Sequence, residues 1–390
     1  MGNNCYNNFS EQNTEMKMDI QLKYNRNIRL QNLLNNKNKN ENIFNIKKVE
    51  NKLSIETSEE KLLSSFLGKE KENKENIFGL KNIGLTCYMN SFLQLLFHTP
   101  KFLTELKKFE YEATYIEIVR KLINVAKNPE NESNLYIFKN SLKNISKKYS
   151  EFIQSDSQIF GIDLINSIIA EIKNEKSYVT TESISETNHS SKINLQEEYY
   201  NFLEKYQNDL ISLEKMFLIN EYRIYAKKNN KEIRFDSSLN ISLTIPNKNI
   251  EFLNHTKFTL NELLDYKYKT VKNNCLKIRI CNFPDILIIT IIRTILGEKN
   301  NHCYVEYPET LELQDYTDNK ISNFDISEYV LFGVNKKAGY YRESGHYFCE
   351  IKINKIWYEF NDSIVTPNIN FSNISDQVVG LFYAKKNLYN

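Results

Sequence analysis

One stretch of the chain joins a cysteine to the start of a helix that must pack on a hydrophobic core. Residues Gly79–Gln94 read GLKNIGLTCYMNSFLQ, and Gly79 and Gly84 allow tight backbone turns ahead of Cys87. After the cysteine, apolar residues recur at the spacing of a buried helix face, at Met89, Phe92, Leu93, Leu96 and Phe97. Pro100 ends this pattern. The sequence therefore predicts that Cys87 lies at or near a helix N-terminus.

A cysteine in this position is suited to nucleophilic chemistry. The unpaired amides and the dipole of a helix N-terminus favour the thiolate, which is the form that attacks carbonyl carbon. Considered alone, Cys87 would be interpreted as a small buried hydrophobe at the start of a core helix, since free cysteines usually are. The two interpretations differ in what they require elsewhere, because a nucleophilic cysteine needs a histidine and an orienting Asn or Asp.

Such a histidine lies near the other end of the chain. His346 follows Gly345 at the start of a strand-like run that continues to Ile351. A hairpin would return the chain so that Asn361, fifteen positions later, reaches the far nitrogen of the imidazole. The chain order of cysteine, histidine and asparagine is that of papain-like proteases.

Charge and composition exclude several other classes of protein. The 390 residues include 51 basic and 49 acidic side chains, for a net charge of +2, so neither nucleic acid nor an anionic membrane is an expected partner. No apolar run is long enough to cross a membrane. The six cysteines form no CxxC pair, and no secretory signal precedes them. We expect a reducing compartment, the cytoplasm and/or the nucleus.

The order of patterns along the chain indicates one folded domain behind a polar extension. Residues 1–75 are rich in Asn and Lys, and we interpret them as mostly disordered or as a segment that folds on a partner. From residue 76 to about 172 the pattern is mainly helical. Residues 173–200 are polar and predict a disordered insertion. From Tyr206 to about 388 the alternation favours strands.

The sequence motifs around Cys87 and around His346 both resemble those of one enzyme family. The run Thr86–Ser91 matches, without a gap, the cysteine box of ubiquitin-specific proteases, the papain-like deubiquitinases. The sequence Gly-His-Tyr at 345–347, the single Trp357, Phe-Asn-Asp at 360–362 and the closing Leu-Phe-Tyr at 381–383 resemble its histidine box, in family order. The resemblance extends from residue 76 to about 386 and is weakest between the two boxes.

The resemblance implies a role for each candidate residue. Cys87 would be the nucleophile, His346 the base, and Asn361 the residue that orients the imidazole. Asp362 would share that orienting role or serve only as a turn residue. Asn82, five positions before the cysteine, would donate to the oxyanion together with the Cys87 amide, or would simply bond its own loop.

Four departures from the family pattern are visible. Ile159 replaces a glutamate in a motif that is otherwise matched by Asp156, Gln158 and Phe160. Leu85 stands where the family often has Asn. The two CxxC pairs that hold zinc in the fingers of many members are missing, so we expect no metal, no cofactor and reduced fingers. Finally, Lys337–Ala338–Gly339 replaces a loop segment that usually begins with histidine, followed by Tyr340–Glu343.

The resemblance implies an α+β, papain-like fold with a helical thumb, a β-sheet palm and reduced, zinc-free fingers. It implies a thiol-dependent deubiquitinase that hydrolyses the bond at the C-terminal glycine of ubiquitin, acting as a monomer on ubiquitin or ubiquitinated proteins. Two alternatives remain open: an inactive ubiquitin-binding scaffold, and a protease for a ubiquitin-like modifier.

Overall fold

In the computed structural model of the chain, described residues are 77–109, 117–173, 184–186, 194–206, 210–227, 230–246, 257–270, 275–293, 302–318, 321, 328–339 and 344–389. The chain separates into two units, Met1–Lys74 and Glu75–Asn390, and every described residue belongs to the second. The predicted extension, residues 1–75, lies outside the described ranges.

The first half of the described chain is helical, as its periodicity predicts. Its helices are α1 Cys87–Phe97, α2 Phe102–Phe109, α3 Glu117–Lys127, α4 Glu132–Ser141, α5 Lys147–Ser150, α6 Ser157–Lys173, α7 Leu195–Tyr206 and α8 Ser212–Phe217. Two more follow later, α9 Leu260–Tyr268 and α10 Lys386–Tyr389. All 11 residues of α1 are buried, and the helix packs between α6 and the main sheet. The helix predicted from the cysteine stretch is therefore the central core helix.

The described residues of the second half form three sheets. Their strands are β1 Ile184–Glu186, β2 Ile219–Lys227, β3 Asn230–Ser238, β4 Ile241–Thr244, β5 Lys257–Thr259, β6 Cys275–Ile280, β7 Ile286–Ile292, β8 Tyr304–Glu306, β9 Thr310–Leu311, β10 Tyr329–Ala338, β11 His346–Ile353, β12 Ile356–Asn361, β13 Ile364–Pro367, β14 Ile374–Ser375 and β15 Val378–Lys385. The largest sheet has the order β13-β12-β11-β10-β15-β7-β4, with β9 paired to β10. Its pairs are antiparallel except for β4 with β7. This sheet is the predicted palm, and the α+β fold is confirmed.

A second sheet, in the order β1-β3-β2-β6, occupies the place of the predicted fingers. Helix α7 packs on it through three stacked aromatic rings, Tyr199 and Phe202 of the helix and Phe235 of β3, with centroids 5.1–6.2 Å apart. Among the described residues, no group of three or more His, Cys, Asp or Glu side chains could hold a metal ion. Aromatic stacking thus supplies contacts between the sheet and its helix.

The predicted insertion at 173–200 differs from the structure in part. Strand β1 lies within it and pairs with β3, so that Ile184 is opposite Phe235. Helix α7 begins at Leu195, inside the same range. Leu195, Tyr199 and Phe202 have the spacing of a helix face, but they lie in a polar stretch whose composition predicts disorder. The remaining residues between 174 and 193 lie outside the described ranges.

The contact between α6 and α1 leaves no space for a side chain at Gly161. A Cβ there would lie 2.0 Å from Cζ of Phe92, which is fully buried and makes an edge contact with Phe382 at 5.4 Å. Gly161→Ala should lower the free energy of unfolding by about 2 kcal/mol, because overpacking outweighs the gain in helix propensity. Urea unfolding of Gly161→Ala, Phe92→Leu and the double variant measures this. We expect the double variant to lose less than the sum; a more stable Gly161→Ala would contradict the packing.

Candidate active site

Cys87 is the first residue of α1, and its side chain is only 4% exposed. The loop that precedes it is tied by its own polar groups. Asn82 Oδ1 accepts hydrogen bonds from the backbone amides of Gly84 and Thr86, at 3.1 Å each. Thr86 Oγ1 accepts from the amide of Ile83 at 3.0 Å. The position of the cysteine at the join of loop and helix is therefore as predicted, and it is held by the loop and not by a side-chain N-cap.

Two consecutive residues of this loop adopt left-handed backbone conformations. The φ angles of Gly84 and Leu85 are 107° and 53°. Leucine is a poor residue for this region because its Cβ crowds the backbone, whereas asparagine tolerates it. The asparagine that is frequent at this position in the resembling family thus has a conformational explanation.

Leu85→Asn should raise the free energy of unfolding by about 1 kcal/mol, because it relieves that crowding at an exposed position. Urea unfolding measures the change. Ile77→Asn is the matched control, since Ile77 is also exposed but has an ordinary φ. Equal changes in the two variants would show that left-handed strain at Leu85 is not the cause.

His346 and Asn361 are brought together by the hairpin of β11 and β12. His346 begins β11 and Asn361 ends β12, and the strands pair so that Ile353 is opposite Ile356 at the turn. His346 Nε2 lies 2.7 Å from Asn361 Oδ1. Because this oxygen can only accept, we assign the proton to Nε2, which leaves Nδ1 with the lone pair of a base. The predicted contact of Asn361 with the imidazole is present.

The cysteine and the histidine strand meet where α1 packs on β11. The backbone amide of Tyr347, the residue after His346, donates a hydrogen bond to the Cys87 thiol. Among the described residues, no hydrogen bond joins the Cys87 thiol to the His346 ring. Catalytic hydrogen bonds are often long in the absence of substrate and tighten when it binds.

The electrostatics of Cys87 differ from the prediction that the helix N-terminus favours the thiolate. Burial raises the pKa of the Cys87 thiol, and the negative charge of Asp362 raises it further. The amides of Tyr347 and Tyr88 act in the opposite direction, as a helix N-terminus should, but burial outweighs them. The resting group is thus a neutral thiol, and a base is needed to activate it.

Asp362 lies on the nucleophile side of the site. Its Oδ2 accepts from Nδ2 of Asn82 at 3.0 Å, and its Oδ1 accepts from Nδ2 of Asn90, on α1, at 2.8 Å. Its backbone oxygen also accepts from the amide of Leu80. Among the described residues no hydrogen bond joins Asp362 to His346. The carboxylate therefore clamps two asparagines, and the structure does not place it against the imidazole as one of the sequence interpretations expected.

Asn82 makes the loop hydrogen bonds that one of the two sequence interpretations expected, and its role as an oxyanion donor stays a prediction. Its Oδ1 bonds its own loop, and its Nδ2 points to Asp362. A carboxylate that accepts one N–H of this amide fixes the direction of the second. That arrangement suits a donor that must be oriented before the reaction.

The motif at 154–160 forms one wall of a cleft of about 980 Å³. Asp156 caps α6, since its Oδ1 accepts from the amides of Gln158 and Ile159 at 2.9 and 3.0 Å. Ile159 is half exposed and lines the cleft with Leu85. Polar residues from elsewhere in the chain also line the cleft, among them Asn240, Ser242, Thr290, Arg293 and Asp376. Such a space is open enough for an extended peptide.

The two ends of the loop that precedes His346 lie close to each other. Strand β10 ends at Ala338, opposite His346. A Cβ on Gly339 would lie 2.9 Å from Cα of Gly345, and both glycines have positive φ. Lys337 lines the cleft, whereas Tyr340–Glu343 lie outside the described ranges.

The sequence predicts no role for Gln154, two positions before Asp156, or for Asn90, which lies inside the cysteine box. Gln154 Nε2 donates to the backbone oxygen of Gly345. Asn90 donates to Asp362 and to the backbone oxygens of Leu80 and Lys81. Their role depends on which distant backbone groups they reach, which no local pattern encodes.

In the described ranges no helix is long and apolar enough to cross a membrane.

The sequence is similar to known hydrolases over most of its length. A family model described as ubiquitin carboxyl-terminal hydrolase matches residues 78–383. Ubiquitin carboxyl-terminal hydrolase 25 of Arabidopsis thaliana is 26% identical over 343 residues, which are 83% of this chain and 50% of that protein. Ubiquitin carboxyl-terminal hydrolase Usp2 of Drosophila melanogaster is 24% identical over 344 residues, 80% of this chain and 35% of that protein. The chain thus spans half or less of these relatives.

The fold is similar to that of solved structures. The SAGA Ubp8/Sgf11/Sus1/Sgf73 DUB module bound to ubiquitin aldehyde matches with a TM-score of 0.60 at 21% identity, over 80% of this chain and 70% of that chain. The same module bound to monoubiquitin matches with a TM-score of 0.59 at 20% identity, over 84% of this chain and 75% of that chain. At these identities the likeness shows a shared fold.

Proposed function

Because this chain belongs to the ubiquitin carboxyl-terminal hydrolase family, we propose that it is a thiol-dependent deubiquitinase that cleaves the bond at the C-terminal glycine of ubiquitin. One observation carries the proposal. Cys87 begins a core helix against the strand of His346, whose Nε2 is held by Asn361, and the flanking loops line a peptide-sized cleft. The supporting structures are those of a DUB module bound to ubiquitin aldehyde and to monoubiquitin.

The first half of the reaction acylates the cysteine. Nδ1 of His346 takes the thiol proton of Cys87, and the sulfur attacks the carbonyl carbon of the terminal glycine. The amide of Cys87 and Nδ2 of Asn82 donate to the oxyanion that forms. The imidazolium then gives its proton to the leaving amine as the C–N bond breaks, and a thioester remains on Cys87.

The second half releases the modifier. His346 takes a proton from water, and the resulting hydroxide attacks the thioester carbonyl. The C–S bond breaks, the carboxylate of ubiquitin leaves, and the sulfur recovers a proton from the imidazolium. Asn361 keeps Nε2 protonated and the ring in plane throughout, which is the positioning role of the third member of such triads.

The buried, neutral thiol makes the base essential. Since burial raises the pKa of Cys87, little thiolate exists at neutral pH before His346 acts. Asp362 acts in this scheme through Asn82, whose amide it orients, and not through the imidazole. The same carboxylate adds to the effect of burial by raising the pKa of the thiol further.

We further infer that the chain acts as a monomer on ubiquitin or ubiquitinated proteins, without nucleic acid or membrane, in the cytoplasm and/or nucleus. The balanced charge supports the exclusion of polyanions. Four of the described cysteines, Cys87, Cys275, Cys281 and Cys349, are free and buried, and this supports a reducing compartment.

A ubiquitin-like modifier is the second candidate substrate. Ile159 places an aliphatic side chain in the cleft where the resembling family has a glutamate, and Lys337 adds a positive charge beside the histidine loop. Both substitutions change the contacts available to the tail of the modifier.

Hydrolysis of ubiquitin that carries a C-terminal fluorophore tests the proposal, with Cys87→Ala as control. Release by the wild type alone is the expected result. Parallel substrates made from ubiquitin-like modifiers decide between the two candidates. Release from such a modifier but not from ubiquitin would replace the main proposal with the second; tight binding of ubiquitin without release would indicate a scaffold.

A further inference from the structure

A short segment between α5 and α6, residues 152–156, contacts both halves of the candidate site. We call it the bridging segment. At its beginning, Phe152 packs on the nucleophile loop, since a Cβ at Gly84 would lie 2.6 Å from its ring. At its end, Oδ2 of Asp156 accepts from the hydroxyl of Tyr347, the residue after His346, at 3.2 Å.

A buried lysine contacts the start of the bridging segment and the two residues before it. Lys139, on α4, is 2% exposed. Its Nζ donates to the backbone oxygens of Ser150 and Glu151 at 2.7 and 2.6 Å, and lies 4.6 Å from the centroid of Phe152. A buried charge with two backbone acceptors fixes the path of the chain that carries them. The bridging segment is therefore held in a fixed position within the helical thumb.

Gln154 lies at the centre of this segment and makes its contact with the histidine loop. Its Nε2 donates to the backbone oxygen of Gly345, the peptide group directly before His346. Only glycine fits at this position, because Gly345 has a φ of 139° and a Cβ there would lie 2.4 Å from the oxygen of Ala338. The direction of the Gly345 carbonyl sets where the backbone of His346 begins.

We propose that Gln154 is a positioning residue, which holds the Gly345–His346 peptide so that the imidazole stays within reach of Cys87. The inference rests on the proposed function and deepens it, since it names a residue that acts through the base. Cys87 and His346 are not hydrogen-bonded to each other in the structure, so their approach depends on the loops that precede α1 and β11. The bridging segment is in contact with both loops, through Phe152 and Gln154.

The test compares Gln154→Ala with Gln196→Ala, a matched control on the exposed face of α7. Steady-state cleavage of fluorophore-tagged ubiquitin gives kcat and KM separately. We expect Gln154→Ala to lower kcat by roughly 10- to 100-fold, with KM and the thermal midpoint close to those of the control. A raised KM with unchanged kcat would overturn the inference, because it would make Gln154 a substrate-binding residue.

A second readout needs no modifier. The rate at which iodoacetamide alkylates Cys87, followed on its own peptide by mass spectrometry across pH, reports how well His346 assists the thiol. We expect the profile of Gln154→Ala to approach that of His346→Ala, and Gln154→Asn to lie between it and the wild type. A Gln154→Ala profile identical to that of the wild type would overturn the inference even if ubiquitin is not the substrate. A wild type that does not cleave ubiquitin but shows the expected profiles would instead contradict only the proposed function.

Discussion

Replacing His346 with alanine should lower kcat/KM for ubiquitin cleavage by roughly 10³-fold or more, because general-base assistance contributes about 10²- to 10⁴-fold and the buried Cys87 thiol is neutral without it. The imidazole is partly exposed and begins its strand, so its removal leaves the core intact. Steady-state kinetics with fluorophore-tagged ubiquitin measures the loss, and the thermal midpoint verifies the fold.

Asn361→Ala provides the graded comparison for this prediction. It leaves the base in place and removes only the acceptor that holds Nε2 at 2.7 Å. We expect a loss of roughly 10- to 100-fold, smaller than for His346→Ala, since the ring keeps its chemistry but loses its fixed tautomer. A loss of less than 10-fold in His346→Ala, in a folded protein, would show that another group is the base.

Asp362→Asn should change catalysis and thiol reactivity in opposite directions. The variant loses the charge that accepts from Asn82 and Asn90, so the oxyanion donor is no longer held, and kcat/KM should fall by roughly 10²-fold. The same charge raises the pKa of Cys87. Its removal lowers that pKa, increases the thiolate fraction at any pH below it, and should speed alkylation of Cys87.

The control for this prediction is Asp285→Asn, which makes the same change of net charge at an ion pair with Lys385 on the palm. It should leave both rates unchanged. Slower hydrolysis together with slower alkylation in Asp362→Asn would contradict the clamp. That pattern would place Asp362 with His346, in the orienting role that sequence alone left open.

Most of the fold could be predicted because local pattern and burial agree. The apolar stripe after Cys87 became α1, whose residues are all buried, and the hydrophobic run at Ile286–Ile292 became β7, a buried inner strand of the palm between β15 and β4. The spacing of His346 and Asn361 also predicts their contact, since a hairpin fixes which residues face each other. These features depend on short stretches of chain.

Other features could not be predicted because they depend on distant groups. Asp362 reaches Asn82 across 280 positions, and Gln154 reaches Gly345 across 191. The pKa of Cys87 is raised because helix, sheet and loop together exclude water from the thiol. A helix N-terminus alone predicts the opposite direction. Burial in the assembled fold thus outweighs the local helix effect.

The central claim is that Cys87 attacks the C-terminal carbonyl carbon of ubiquitin. The most direct measurement incubates the protein with ubiquitin whose C-terminus carries a thiol-reactive electrophile, and then maps the adduct by mass spectrometry. We predict one ubiquitin per chain on the peptide of Cys87, lost in Cys87→Ala and slowed in His346→Ala. An adduct on another cysteine, or none in a folded protein, would contradict it.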